Sequence, residues 1–239
     1  MASPEFRFKQ FTIRHDRSAM KVGTDGVLLG AWAGLTLSPQ LSTLNILDIG
    51  TGTGLIALML AQRFPPSQIV GIDIDDASLE QAKENVKSSI FKAQIQLQKQ
   101  DFSDIDSFSN KFDLIVSNPP FYTEETLGGN QARDRARHTT SLPFETLVQN
   151  AAKLLTEDGL FSVIIPHQSA ADFISLCVAS RLYLTRRLNI RSTERKPFNR
   201  VLLEFSTKML PSETSTLTLY DAHNNRSSEY TQLTQDFYL

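Results

Sequence analysis

The sequence is short of cysteine, of histidine and of long apolar runs, and each shortage removes a class of function. Cys177 is the single cysteine among 239 residues, so neither an internal disulfide nor a cysteine-based zinc cluster can form. That usage suits a reducing cytosol. The four histidines, His15, His138, His167 and His223, lack the spacing of metal ligands, and no metal is expected. The longest apolar stretches, 27–37 (broken by Gly30, Gly34 and Thr36) and 55–61, fall well short of the roughly 20 residues of a membrane span. No basic-then-apolar leader opens the chain, so no membrane partner is expected. Nor does one charge dominate. With 24 Lys+Arg against 26 Asp+Glu, the formal net charge is −2, which argues against coating nucleic acid by bulk charge but leaves room for a local basic face.

What is present is enough for one large core. Apolar residues make up 41% of the chain, 15 of them Phe, against 21% charged, and the length suits one domain better than two. From residue 44 onward, short β-branched runs alternate with longer helical patterns, the signature of βαβ units and a parallel sheet. Strands are expected over 44–49, 68–74, 94–99, 112–117, 160–166, 183–190 and 200–206, about seven in an α/β fold. Helices are expected over 55–63, 77–88, 144–155 and 169–180. Upstream, 6–9 and 11–13 alternate as a small β element, and 25–33 reads as a short helix with Thr24 as its N-cap. Setting aside Met1–Glu5, the chain divides into an extension, 1–43, packed on the domain 44–239. The extension has too little core to stand alone.

Between the first of these strands and its helix stands Asp48-Ile49-Gly50-Thr51-Gly52-Thr53-Gly54. Glycines here permit a tight turn and close approach of a ligand to the backbone. A dinucleotide fingerprint G-x-G-x-x-G would need its third glycine at position 55, which is Leu55. The acid two residues before Gly50 would repel a pyrophosphate but suits a cation. S-adenosylmethionine, with a sulfonium, an ammonium and no phosphate, fits that requirement; a glycine turn with only a packing role is the competing reading. Asp73, about 20 residues past Gly54, closes the next strand where it can accept both hydroxyls of a ribose, and Ile74 follows it. Asp75 or Asp76 reads as the N-cap of the next helix. Asp101 and Phe102 end the third strand, placed to offer a carboxylate and a backbone amide to an adenine. All of these lie at strand carboxyl ends, the edge where open parallel sheets bind ligands.

The fourth strand runs into Asn118-Pro119-Pro120-Phe121. Two prolines fix φ and remove two amide donors, which leaves carbonyls free to face a ligand. Asn118 Oδ1 and the Pro119 carbonyl can then both accept from one planar NH₂ group, and Phe121 offers a face for a flat base or amide. A rigid turn would explain the prolines but neither the Asn nor the aromatic residue.

Asp48–Gly54, Asp73, Asp101 and Asn118–Phe121 together resemble the class I S-adenosylmethionine-dependent methyltransferases that modify planar nitrogens. More narrowly, residues 8–11, 15–17, 19–26, 28–33, 58–63 and the tail 233–239 are similar to the bacterial tRNA1(Val) adenine-N6 methyltransferase family. Phe121 departs from that pattern, where Tyr is frequent. The resemblance implies a Rossmann-like seven-stranded, mostly parallel sheet with the last strand antiparallel. It also implies a monomer whose substrate is the adenosine beside the anticodon, in a tRNA anticodon stem-loop, and it points to Lys21, Thr24 and Asp25 as a lid over the cofactor.

Two basic clusters stand out. Arg181, Arg186, Arg187, Arg191, Arg195, Lys196 and Arg200 face a single acid, Glu194, within 181–200; Arg133, Arg135, Arg137 and His138 follow Phe121. Both suit phosphate contact, although solvated faces often look the same. The expected activity is methylation of an adenosine N6 in tRNA by a cytoplasmic enzyme, with a protein-glutamine amide or an rRNA base amine as alternative acceptors. A nicotinamide-dependent oxidoreductase is disfavoured by Leu55 and Asp48, and a silent RNA-binding module by the intact Asn118–Phe121.

Overall fold

The computed structural model describes residues 5–17, 21–37, 43–120 and 142–239. Among these described residues, ten strands and six α-helices follow in chain order: β1 (Glu5–Arg7), β2 (Thr12–Arg14), α1 (Thr24–Trp32), β3 (Leu44–Ile49), α2 (Leu55–Arg63), β4 (Ser67–Asp73), α3 (Asp76–Lys87), β5 (Ile95–Lys99), β6 (Phe112–Ser117), α4 (Phe144–Leu154), β7 (Leu155–Pro166), α5 (Ala170–Ala179), β8 (Tyr183–Arg191), β9 (Arg200–Ser206), β10 (Glu213–Thr218) and α6 (Ser228–Thr234). β1 and β2 pair as a hairpin, and the other eight form one sheet in the order β10-β8-β9-β7-β6-β3-β4-β5. The expected mostly parallel sheet is present, with β9 antiparallel to both β7 and β8. β10 adds an eighth strand, parallel to β8, and only its Leu217 is buried. An almost wholly exposed strand has no apolar alternation by which to be recognised.

The continuous apolar runs of the central strands follow from burial on both faces. Ile46, Leu114, Ile164 and Leu202 point to a core shared with α1, α2 and α6. Their neighbours Leu47, Ile115, Ile165 and Leu203 point to the opposite core, closed by α4 and α5. β7 begins earlier than expected, at Leu155, because Leu155 pairs with Phe112 before the register shifts and Leu160 pairs with Leu114. Asp75 caps α3 as expected, accepting from the Ser78 amide at 2.8 Å. The expectation for Thr24 is corrected: it is the first residue of α1, and Gly23 occupies the N-cap without a side-chain cap. The 1–43 segment contributes Phe8, Phe11, Ile13 and most of α1 to the first core. Its hairpin is latched to the tail through Lys9 N–H donating to the Phe237 carbonyl at 2.8 Å, and Phe8 stacks on Tyr238.

One buried carboxylate of the sheet is fully matched by protein donors. Glu204 on β9 has no exposure; Oε2 accepts from the Gly34 amide at 2.7 Å and the Ser162 hydroxyl at 2.8 Å, and Oε1 from Arg186 Nη1 at 3.0 Å. Arg186 also lies 4.0 Å over the Trp32 ring, and its side chain is only 14% exposed. Its guanidinium is therefore committed to the interior, which corrects its expected place in a phosphate-facing patch. Removing one partner strands the other charge. Glu204→Ala is expected to cost about 3–5 kcal/mol in urea unfolding, and Glu204→Gln clearly less, because an acceptor remains. A loss under about 1 kcal/mol for Glu204→Ala would show that Arg186 finds water instead.

Candidate active site

The parallel strands deliver their carboxyl ends to one edge of the sheet. Ile49 at the end of β3 is in register with Ser117 of β6 and Ile72 of β4, and Asp73 with Lys99 of β5. The glycine loop, Asp73-Ile74, Asp101 and Asn118 consequently share that edge, as the sequence reading required. Pro166 of β7 pairs with Arg200, which brings the β8–β9 connection to the same side.

The loop turns through three left-handed glycines, Gly50 (φ 68°), Gly52 (φ 56°) and Gly54 (φ 80°), a region that side chains with a Cβ rarely adopt. It is pinned from β4: Thr51 N–H donates to the Ile72 carbonyl at 2.9 Å, and Gly52 N–H to Asp73 Oδ2 at 2.9 Å. Asp73 Oδ1 accepts from the Asp75 amide at 3.0 Å. Asp73 thus braces the loop, while a carboxylate's remaining lone pairs can still serve a ligand. Ile74 beside it is an exposed apolar side chain. Asp101 is exposed and its Oδ1 accepts from the Ser103 amide at 2.8 Å. Phe102 is a core residue: its ring packs edge-on against Phe108, and its carbonyl accepts from Asn150 Nδ2 at 2.8 Å.

Two buried acceptors at this edge are unmatched among the described residues. Asp48 is fully buried; Oδ2 accepts from the Thr51 hydroxyl at 2.7 Å, and Oδ1 has no partner. Burial pushes its carboxyl up to about 7, opposed by the Thr51 hydroxyl and the Ala57 amide and assisted by the Asp73 charge. Asn118 Oδ1, directly after β6, is likewise buried and unpartnered. Orphaned buried acceptors are uncommon, and here they point toward donors that a ligand would bring. Pro119 is buried and Pro120 exposed. Phe121, Arg133, Arg135, Arg137 and His138 lie outside the described residues.

Comparison with known proteins decides the family. A model described as "Methyltransferase domain" matches residues 40–197. A tRNA1(Val) (adenine(37)-N6)-methyltransferase of Bacteroides thetaiotaomicron is 45% identical over 240 residues, 100% of this chain and 99% of its own. Another of that name, from Pectobacterium carotovorum, is 44% identical over 236 residues, 98% of this chain and 93% of its own. The chain belongs to this methyltransferase family. A predicted O-methyltransferase from Agrobacterium tumefaciens shares the fold, with a TM-score of 0.69 over 89% of this chain and 96% of that one at 18% identity.

The cofactor of the family is S-adenosylmethionine, and the donor set fits it: a glycine loop without phosphate ligands, the open Asp48 Oδ1, and Asp73 and Asp101 along the same edge. Among the described residues no group of three or more His, Cys, Asp or Glu is placed to hold a metal, and no helix is long and apolar enough to cross a membrane. At the basic edge, the side chains of Arg195 and Lys196 are exposed. The other arginines have local tasks. Arg187 contacts Asn189 and the His167 ring, Arg191 donates to Thr218 Oγ1 and the Glu194 carbonyl, and Arg200 donates to Asp25 Oδ2 at 2.8 Å. His167 and Phe198, which no sequence pattern marks as partners, pack their rings 5.5 Å apart.

Burial of Asp48 sets a pH dependence. Its folded pKa of about 7 exceeds the usual 3.8, so between these values the folded chain holds a proton that the unfolded chain has lost. Stability of the ligand-free methyltransferase should therefore decline as pH rises from 5 to 7, by up to about 1.4 kcal/mol per unit from this group. Asp48→Asn should be flatter over the same interval. Parallel urea titrations of the two proteins, with no difference in slope, would show that the carboxyl stays ionised.

Proposed function

We propose that this chain transfers the methyl group of S-adenosylmethionine to N6 of adenine 37 in tRNA1(Val), as the names of its full-length relatives describe for them. The observation that carries the reading to the chemistry is Asn118 Oδ1 at the end of β6, buried and without a partner among the described residues. When bound, the cofactor supplies a methyl group already activated by its sulfonium. The protein's task is then alignment.

Asn118 Oδ1 and the Pro119 carbonyl accept the two hydrogens of the adenine amine, and the nitrogen lone pair is left directed at the incoming methyl carbon. The bound cofactor would supply the methyl group, and the proton displaced from the amine would pass to solvent. Phe121 supplies the stacking face for the base, while Asp73 and Asp101 hold the ribose and adenine of the cofactor. Gly50, Gly52 and Gly54 leave room for it, and Asp48 faces its cationic amino-acid end. Lys21 and Thr24 close over the site. An adenosine in a loop is single-stranded, so turning it into the pocket costs less than opening a duplex. Arg195 and Lys196 lead the phosphate contacts, with Arg187, Arg191 and Arg200 behind them, and the sequence cluster Arg133, Arg135 and Arg137 adds to their charge. A tRNA substrate places the enzyme in the cytoplasm, working as a monomer.

Asn118→Ala is expected to keep cofactor binding and lower single-turnover transfer to unmodified tRNA by at least ~10²-fold, the usual cost of a lost aligning contact. N6-methyladenosine is the product to be measured. Near wild-type turnover would remove Asn118 from the acceptor role, and methylglutamine or another nucleoside as product would overturn the substrate. Separately, replacing Arg195 and Lys196 together by Ala should reduce the slope of log K against log salt for tRNA by about 1.4–1.8, two phosphate contacts' worth. An unchanged slope would place the RNA elsewhere.

A further inference from the structure

Helix α3 carries two buried carboxamides that nothing in the chemistry above employs. Asn85 is 2% exposed. Its Oδ1 accepts from the Arg14 amide at 2.9 Å, and its Nδ2 donates to the Arg14 carbonyl and to the Thr53 carbonyl, each at 2.9 Å. One turn earlier, the fully buried Gln81 accepts from the Arg17 amide at 2.7 Å and donates to Asp16 Oδ1 at 3.0 Å. Four residues apart, the two amides share one helix face, and they hold residues 14–17 much as a neighbouring strand would.

Only Asn85 reaches further. Thr53 lies between the left-handed Gly52 and Gly54, and its carbonyl shares a peptide plane with the Gly54 N–H, which closes the turn on the Thr51 carbonyl at 2.9 Å. The loop is therefore held from two sides, by Asp73 at the Gly52 amide and by Asn85 at the Thr53 carbonyl. An apolar side chain would fill the space at position 85, but it would leave the Thr53 and Arg14 groups unmatched in the interior.

We propose that Asn85 is a positioning residue for the cofactor: through one side chain it ties the Arg14 backbone of the N-terminal extension to the glycine loop at Thr53, and the loop's ligand-binding shape depends on that tie. The extension would then be a working part of the S-adenosylmethionine site. This rests on the loop being that site, and the test separates the two claims.

Asn85→Ala, Asn85→Asp and Gln81→Ala are compared with the parent chain in two measurements. Hydrogen exchange at the Gly52 and Gly54 amides of the ligand-free protein reads the coupling itself, and calorimetry with S-adenosylmethionine reads its consequence. Asn85→Ala should speed exchange at both amides and weaken binding about tenfold, since one buried carbonyl loses its partner. Asn85→Asp retains the acceptor for Arg14 but not the donor to Thr53, so it should show the same loop effect, and it answers the question if the alanine variant does not fold. Gln81→Ala loosens 16–17 without touching Thr53 and should leave both readings within about twofold of the parent. Unchanged loop exchange in a folded Asn85 variant, or an equal effect from Gln81→Ala, overturns the coupling. If the parent chain binds no S-adenosylmethionine, the cofactor reading fails, and the exchange data still decide the role of Asn85.

Discussion

The common direction of β3, β4, β5 and β6 is the constraint on which the rest of the molecule depends. Parallel strands need a crossover between each pair, so every strand ends in a turn on one edge and every return helix covers a face. The glycine loop, Asp73, Asp101 and Asn118 share one edge because each lies at, or within two residues of, the carboxyl end of a strand of that set. None of them is near another in sequence. The same arrangement buries the central strands on both faces, which is why Leu44–Ile49 and Phe112–Ser117 are almost continuously apolar.

Along that edge, polar groups that the protein satisfies stand beside polar groups that it leaves open. Asp73 is bonded to two backbone amides and so can hold the loop before any ligand arrives. Among the described residues Asp48 Oδ1 and Asn118 Oδ1 are buried without partners, a cost that folding alone does not recover. Under the proposed function, the ligand's own donors would complete these groups. Glu204 shows the opposite treatment: an equally buried carboxylate whose oxygens meet an amide, a hydroxyl and a guanidinium. The two acids are equally buried, but only Glu204 has protein donors on both oxygens.

The two ends of the chain close on the same body. The β1–β2 hairpin stacks Phe8 against Tyr238, and Arg226 lies 3.9 Å over the Tyr238 ring. From that clasp, residues 14–17 run along α3 beside the glycine loop, and Asp25 at the start of α1 pairs with Arg200 at the start of β9. The extension thereby touches both flanks of the candidate site edge.

Much of this was legible without coordinates, for reasons particular to each element. Alternating strand and helix patterns identify a parallel sheet because burial on two faces forces apolar runs. Glycine spacing and Leu55 exclude a dinucleotide loop because a missing Cβ, or its presence, is a local property of the chain. The Asn118-Pro119-Pro120 sequence announces open carbonyls because proline's lost amide is covalent fact. Other features belong to tertiary structure alone. β10 is a strand only because β8 offers it an edge, and Thr24 fails as a cap because the chain turns into α1 at Gly23. Arg186 looks like its basic neighbours in a list of charges, yet alternation along β8 turns it onto Trp32 and Glu204, whereas Arg195 and Lys196, in the connection to β9, stay in water. Asn85 carried no signal, since an amide on a helix is ordinary until a distant carbonyl is placed against it. Sequence by itself determined which groups exist and how each short segment bends; the packing of segments far apart in the chain decided which of those groups meet, because a hydrogen bond depends on a few tenths of an ångström that no local pattern encodes.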